Sequence, residues 1–119
     1  MTYRNTYSEI NLSNLKDNVS KIINNFGGYK YYIGVVKADC YGHNTNSTVK
    51  AIIDGGCNYL AVSSLDEALA IRQSFDTPIL CLGIIDSKYM DICEKNHIDV
   101  AVTSLEYVEK IKDYNLNIH

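Results

Sequence analysis

The chain has 119 residues, of which 46% are hydrophobic and 21% charged, and its formal net charge is −3. This composition is typical of a single folded domain and excludes a disordered chain. Acidic and basic residues are interspersed without a basic run, so nucleic acid is not an expected partner. The longest strongly apolar stretch, residues 79–85, is too short to cross a membrane, and residues 1–7 do not resemble a signal peptide. We therefore expect a cytoplasmic location.

The first predicted elements are a strand and a helix. Residues Tyr7–Asn11 alternate between polar and apolar side chains, which predicts a leading strand. Ser13–Phe26 has the period of a helix, and Gly27 and Gly28 are expected to end it. Its apolar face is formed by Leu15, Val19, Ile22 and Ile23.

From residue 31 onward, short apolar runs alternate with segments of helical period, a pattern that predicts parallel βα repeats. The predicted strands are Tyr31–Lys37, Tyr59–Val62, Ile79–Leu82, Asp99–Val102 and a stub at Asn117–His119. The predicted helices are Asn46–Ile53, Ser64–Gln73, Lys88–Lys95 and Ser104–Tyr114. The repeats fit an open doubly wound sheet or a (β/α)₈ barrel of the TIM type, and their number corresponds to about half of such a barrel.

Two of the predicted helices have clear start signals. Ser64 and Ser104 each precede a helical segment with acids in its first turn, so both are predicted N-caps. In the first of these helices, Asp66, Glu67 and Gln73 are expected to face solvent while the opposite side packs on the sheet.

The four cysteines, at positions 40, 57, 81 and 93, contain no C-x-x-C pair and lie mostly in apolar surroundings. Reduced, buried thiols are the expected interpretation, rather than disulfides or zinc ligands. His97 and His119 have no partner arrangement typical of metal binding or catalysis. No metal site is predicted.

Lys37 is the strongest candidate for chemistry, because it follows the apolar run 33–36 at the end of a predicted strand. Ligands bind at the carboxyl ends of strands in barrels and in open parallel sheets. A lysine amine there can act as a nucleophile toward an aldehyde, although a solvated lysine at a strand end is the common alternative.

Residues 35–43, VVKADCYGH, resemble the signature of the alanine racemases. The similarity extends to residues 7–12, 60–72 and 78–83. It implies that Lys37 holds pyridoxal 5'-phosphate as an internal aldimine, that Tyr41 hydrogen-bonds the cofactor phosphate and that Leu82 packs against the cofactor ring. His43 is interpreted as a residue that orders the loop.

The resemblance implies a fold-type III racemase that interconverts L- and D-alanine and so supplies D-alanine for cell-wall peptidoglycan. Lys37 would be one catalytic base, and the family's second base is a tyrosine from the carboxyl-terminal domain of the other subunit of a homodimer. By this interpretation residues 1–119 are the amino-terminal part of the cofactor-binding barrel domain, without the other half-barrel and the β-rich domain. We then expect the chain alone to be inactive and to self-associate.

Three other interpretations stay open. A racemase acting on serine or a basic amino acid would share Lys37 and Tyr41. A non-catalytic barrel protein that binds pyridoxal phosphate is a second possibility, although the predicted leading strand argues against it. The third is an α/β chain without a cofactor.

Overall fold

A computed structural model describes residues 5–119. Helical segments and strands alternate along this part of the chain. The strands are β1 (Ile33–Val35), β2 (Tyr59–Val62), β3 (Ile79–Cys81) and β4 (Ile98–Val100). The helical segments are α1 (Leu12–Asn25), α2 (Lys37–Gly42), α3 (Thr45–Asp54), α4 (Leu65–Arg72), α5 (Met90–Lys95) and α6 (Leu105–Ile111), with a 3₁₀ turn at Ser87–Tyr89 before α5.

The strands form one parallel sheet in the order β1-β2-β3-β4. One row of paired residues runs across all four strands, from Val35 through Ala61 and Leu80 to Asp99. A parallel bridge between Val100 and Ile118 places the predicted strand stub next to β4, at a fifth strand position of the sheet. Because the order follows the chain without the reversal of a doubly wound sheet, the architecture is that of a partial barrel.

The core lies between the helices and one face of the sheet. Strands β2, β3 and β4 are buried at every position, as continuous apolar runs in parallel sheets are. Helices α4 and α5 cover this face with Ala68, Ile71, Met90 and Cys93, all of them at most 1% exposed. Burial of each large apolar side chain contributes about 1.5–3 kcal/mol. The largest fully buried side chains of the core are Leu60, Ile71, Ile79, Met90 and Ile98.

Strand β1 is the exposed edge of the sheet. Ile33 and Val35 are 44% and 41% exposed, whereas the strands behind them are buried. Helix α1 packs on α3, and none of its own residues is buried. An apolar edge with free backbone groups is a site where another strand can pair.

The leading strand predicted at Tyr7–Asn11 is wrong. Residues 6–11 have no strand partner within residues 5–119, and Tyr7 is 84% exposed. Polar–apolar alternation does not make a strand without a neighbour to accept its hydrogen bonds. Asn11 instead begins α1, since its side-chain oxygen accepts a hydrogen bond from the Asn14 N–H at 2.9 Å.

Most other predicted elements are confirmed with shifts of a few residues at their ends. Ser64 and Ser104 are N-caps, and their hydroxyl oxygens accept from the N–H groups of Glu67 and Tyr107 at 3.3 Å and 3.1 Å. The largest shift is at the end of α6, at Ile111 rather than Tyr114. Strand β1 ends at Val35 rather than at Lys37 because the backbone turns sharply after the lysine.

The four cysteines lie within the described residues and are free thiols. Cys40, Cys81 and Cys93 are buried, as expected from their apolar surroundings. Between residues 5 and 119 there is no helix with the length and hydropathy needed to cross a membrane. In that same range, no group of three His, Cys, Asp or Glu residues is arranged to hold a metal ion.

Candidate functional site

Lys37 lies at the carboxyl end of the edge strand β1. The preceding residue, Val36, is 2% exposed, and its N–H donates to the Ala61 carbonyl oxygen at 2.8 Å, which anchors the strand end to β2. Lys37 itself is half-buried, and no carboxylate among residues 5–119 forms a salt bridge with its amine. The side chain therefore combines an anchored backbone with an amine that is free of an ion-pair partner in this region.

Immediately after Lys37 the backbone forms a left-handed turn, residues 37–42. Four consecutive residues, from Ala38 to Tyr41, have φ between 51° and 56°, and Gly42 follows at φ 82°. For residues with a Cβ this conformation costs about 1–2 kcal/mol each. Such strain persists only where surrounding contacts impose it, and those contacts identify the groups that shape the site.

Glu67, in the first turn of α4, contacts the residue that directly follows the lysine. The Ala38 N–H donates to Glu67 Oε1 at 2.7 Å, and the N–H and hydroxyl of Ser63 both donate to Oε2 at 2.8 Å. Partial burial acts to raise the pKa of this carboxyl, but the hydrogen bonds from Ser63 and Ala38 outweigh it and hold the pKa below its ordinary value. Glu67 is therefore ionised at neutral pH and joins the ends of β1 and β2.

Asp39 connects the turn to the start of α3. Its Oδ1 accepts from the Thr45 hydroxyl at 2.6 Å and from the Thr45 N–H at 2.7 Å. These two hydrogen bonds lower the pKa of the Asp39 carboxyl, and the bond from the Thr45 hydroxyl contributes more than the bond from its N–H. Asp39 thus caps the helix that follows while its own backbone stays in the left-handed region.

His43 closes the turn by local hydrogen bonds. Its Nδ1 lies 2.9 Å from the Cys40 carbonyl oxygen and 3.3 Å from that of Tyr41, and with a proton on Nδ1 it donates to them. The hydroxyl of the buried Thr48 donates to the His43 carbonyl oxygen at 2.9 Å. His43 orders the loop, in agreement with the interpretation from sequence.

Cys40 fills the inside of the turn. It is 4% exposed, and burial, with a smaller contribution from the neighbouring Asp39 charge, raises the pKa of its thiol to about 11. The thiol is therefore protonated at neutral pH and is a poor nucleophile. Its contribution is to packing.

Tyr41 and Leu82 lie at the same end of the sheet as Lys37. Tyr41 is 60% exposed, and Leu82, which follows β3, is 46% exposed while its N–H donates to the Val62 carbonyl oxygen at 2.8 Å. Each of the three follows the carboxyl end of a strand, and no hydrogen bond within residues 5–119 joins them to one another. An amine, a phenol hydroxyl and an apolar wall are the groups needed to hold a flat aldehyde that carries an anionic group.

The sequence interpretation missed Glu67 as a site residue. We expected it to face solvent, but its carboxylate accepts three hydrogen bonds from two other segments of the chain. The available signal was the spacing Ser64-x-x-Glu67, a capping box whose glutamate turns back toward the N–H groups that precede the helix. That signal locates the carboxylate at the helix start but says nothing of Ala38.

The comparisons with known proteins agree with this architecture. The profile of the family described as "Alanine racemase, N-terminal domain" matches residues 10–119. Alanine racemase 1 of Bacillus subtilis is 38% identical over 109 residues, which cover 91% of this chain and 28% of that protein. Alanine racemase of Clostridium kluyveri is 37% identical over 124 residues, covering 98% of this chain and 32% of that protein.

Solved structures give the same result. The crystal structure of alanine racemase from Bacillus anthracis with bound L-Ala-P superposes with a TM-score of 0.86 at 31% sequence identity, covering all of this chain and 32% of that one. The chain thus spans about a third of the length of the relatives it matches. The chain therefore belongs to the alanine racemase N-terminal domain family.

Proposed function

We propose that this chain supplies the cofactor-binding lysine of an alanine racemase, which interconverts L- and D-alanine with pyridoxal 5'-phosphate. The observation that carries the proposal is the setting of Lys37. It is an amine without an ion-pair partner in the described region, and it stands at a strand end next to four residues of strained backbone. Membership in the family supports the reaction, and the groups around Lys37 support the cofactor.

Each of the three site residues has a role that its chemistry permits. Lys37 would hold the cofactor covalently through its Nζ and, once released, would carry a proton to or from the substrate Cα. The Tyr41 hydroxyl, on a largely exposed side chain, would donate to the phosphate, and the exposed Leu82 would pack against the ring. When bound, the cofactor acts as an electron sink that stabilises negative charge at Cα.

Racemisation needs proton transfer on both faces of Cα, and Lys37 serves one of them. Among the described residues no second base is assigned to the opposite face. We therefore expect the 119-residue chain by itself to lack racemase activity, with the second base supplied by another part of the full-length protein or by a partner subunit.

The exposed edge of the sheet supports a further part of the proposal. The chain by itself would self-associate through β1, where Ile33 and Val35 are more than 40% exposed. The full-length protein would work as a homodimer that supplies D-alanine for peptidoglycan. A cytoplasmic location is part of the same proposal and is compatible with the four free thiols. Light scattering on the isolated chain tests self-association, and a monodisperse monomer would contradict it.

The test of function uses the full-length protein that carries these residues. We expect it to racemise L-alanine faster than other amino acids in a panel that includes serine and lysine. Borohydride reduction should leave a pyridoxyl group on Lys37, found by peptide mass spectrometry. Lys37→Ala should abolish the racemase activity, the yellow absorbance of the bound cofactor and the modification by borohydride.

Lys50→Ala is the matched control. Lys50 is an exposed helical lysine whose Nζ pairs with Asp54 at 3.0 Å, away from the turn, so its loss should change none of these readouts. If the full-length protein racemised another amino acid of the panel faster than alanine, that amino acid would be assigned as its substrate. Pyridoxal phosphate bound without racemisation of any amino acid would favour a carrier, and no modification at Lys37 would rule out the cofactor site.

A further inference from the structure

The contact between Glu67 and Ala38 is not explained by the stability of helix α4 alone. Ser64 already caps that helix through its hydroxyl. The Glu67 carboxylate extends past the cap and accepts from Ala38, which lies 29 positions earlier in the chain and directly follows the lysine. Because the Ala38 N–H precedes a turn of reversed hand, the carboxylate is its hydrogen-bond acceptor in place of an ordinary helical partner.

We propose that Glu67 is a positioning residue for the Lys37 amine. Its carboxylate holds the Ala38 N–H at the start of the left-handed turn and thereby fixes the backbone from which the Lys37 side chain extends. The inference rests on the proposed function for its consequence in catalysis, but the contact itself can be tested without cofactor.

The geometry explains why a carboxylate is needed. Three donors converge on Glu67, one on Oε1 and two on Oε2, so both oxygens act as acceptors. A glutamine has one carbonyl oxygen, and its NH₂ group would face an N–H donor at the other position. Glu67→Gln therefore keeps the size of the side chain and breaks at least one of the contacts. Hydrogen bonds to charged groups are among the stronger ones in proteins.

Asp66 provides the matched control. It is the neighbouring acid in the first turn of α4, it is exposed, and within residues 5–119 its carboxylate has no hydrogen-bond partner. Asp66→Asn removes the same charge from the same helix end without touching the turn. Any effect that both variants share is due to the charge of α4, and any effect confined to Glu67→Gln is due to the contact.

The first measurement is hydrogen exchange at the Ala38 amide in the cofactor-free full-length protein. We expect exchange to be faster by about tenfold or more in Glu67→Gln, which corresponds to the loss of one hydrogen bond to a charged acceptor. Asp66→Asn should leave it unchanged, and the Leu80 amide in β3 should exchange at the same rate in all three proteins. Unchanged exchange at Ala38 in Glu67→Gln would overturn the inference.

The second measurement is the attachment of pyridoxal phosphate to Lys37, trapped with borohydride and quantified by peptide mass spectrometry. A lysine that starts from a mobile backbone should attach more slowly, and kcat should fall about 10- to 100-fold with KM within about twofold, because small displacements of a reacting group are costly. A purely structural role would lower the amount of folded protein but not the kcat of what remains folded. Attachment and kcat equal to those of the unsubstituted protein would overturn the inference.

Ser63→Ala keeps the test decisive if Glu67→Gln does not fold. It removes the Ser63 hydroxyl that donates to Oε2 and leaves Glu67 and Ala38 in place. The same readouts should change in the same direction by a smaller factor, and no change in any of them would count against the inference. Failure of the unsubstituted protein to attach the cofactor would instead overturn the proposed function, so the two failures are distinguishable.

Discussion

At the two ends of helix α4, the charged side chains of Glu67 and Arg72 make opposite kinds of contact. At its start, the Glu67 carboxylate accepts from the backbone N–H groups of Ala38 and Ser63 at the carboxyl ends of the strands. At its end, the Arg72 guanidinium donates to loops at the amino ends of β3 and β4. Its acceptors, at 2.9–3.0 Å, are the carbonyl oxygens of Phe75, Thr77, Asn96 and His97.

The difference lies in what each charge holds. The loops bound by Arg72 contain one non-glycine residue with positive φ, His97, whereas the turn bound by Glu67 contains four in succession. Each charge also has the sign that its end of α4 favours, because an α-helix leaves N–H groups free at its start and carbonyl groups free at its end. Arg72 closes the fold at the end remote from Lys37, and Glu67 acts beside it.

The largest expected effect on stability is at the arginine. Arg72→Ala removes the donor to four backbone carbonyls, and we expect the free energy of unfolding to fall by about 2–3 kcal/mol in urea titrations. Arg72→Lys should recover less than half of the loss, because an ammonium cannot reproduce the planar fork. Cofactor attachment to Lys37 should remain normal in the folded fraction. A slower attachment at Lys37 would break the distinction between the two ends.

A smaller effect, of opposite sign, is expected in the left-handed turn. Ala38→Gly relieves about 1–2 kcal/mol of backbone strain and costs about 0.5–1 kcal/mol because glycine loses more conformational entropy on folding. The free energy of unfolding should therefore rise by up to about 1.5 kcal/mol. The matched control is Ala70→Gly on the exposed side of α4, where the right-handed helix should lose about 1 kcal/mol. Equal losses in urea titrations of the two variants would show that Ala38 is not strained.

The smallest expected effect is the dependence of stability on acid. Because the folded-state pKa of Glu67 is below the ordinary glutamate value, its contribution is fully present above about pH 4.3, the unfolded value. It is lost as the pH falls through the lowered folded-state pKa. In urea titrations at decreasing pH, the free energies of unfolding of the unsubstituted protein and of Glu67→Gln should therefore converge. A difference in unfolding free energy that grows as the pH falls would contradict a lowered pKa of Glu67 in the folded state.

Much of the fold could be predicted from sequence, because strands that are buried in a parallel sheet are continuous apolar runs in the sequence. The run Tyr59–Val62 has the same bounds in prediction and structure, and all four of its residues are buried. The serine caps at 64 and 104 were also predicted, since a cap depends on residues within one turn. The leading strand failed because its existence depends on a partner strand, which local alternation cannot reveal.

For the site, the sequence motif predicted Lys37, Tyr41 and Leu82 through resemblance, and their roles stay predictions. The strand end, the apolar surroundings and the spacing from Lys37 to Tyr41 were all readable along the chain. The backbone shape of the motif was not, since Ala38 and Cys40 disfavour the left-handed region and Asp39 belongs to a residue type that adopts it only singly, not in a run of four.

The sequence alone determined the repeating α/β architecture, the family resemblance and the candidate lysine, because each is written in periodicity or in a local motif. Only the tertiary structure decided how the lysine is held. A run of left-handed residues is unfavourable by itself, so it forms where distant groups compensate for it. Here one such group is the Glu67 carboxylate, which accepts from the Ala38 N–H and lies 29 positions later in the chain. No local pattern around Lys37 records a contact that exists only once β1, β2 and α4 have packed together.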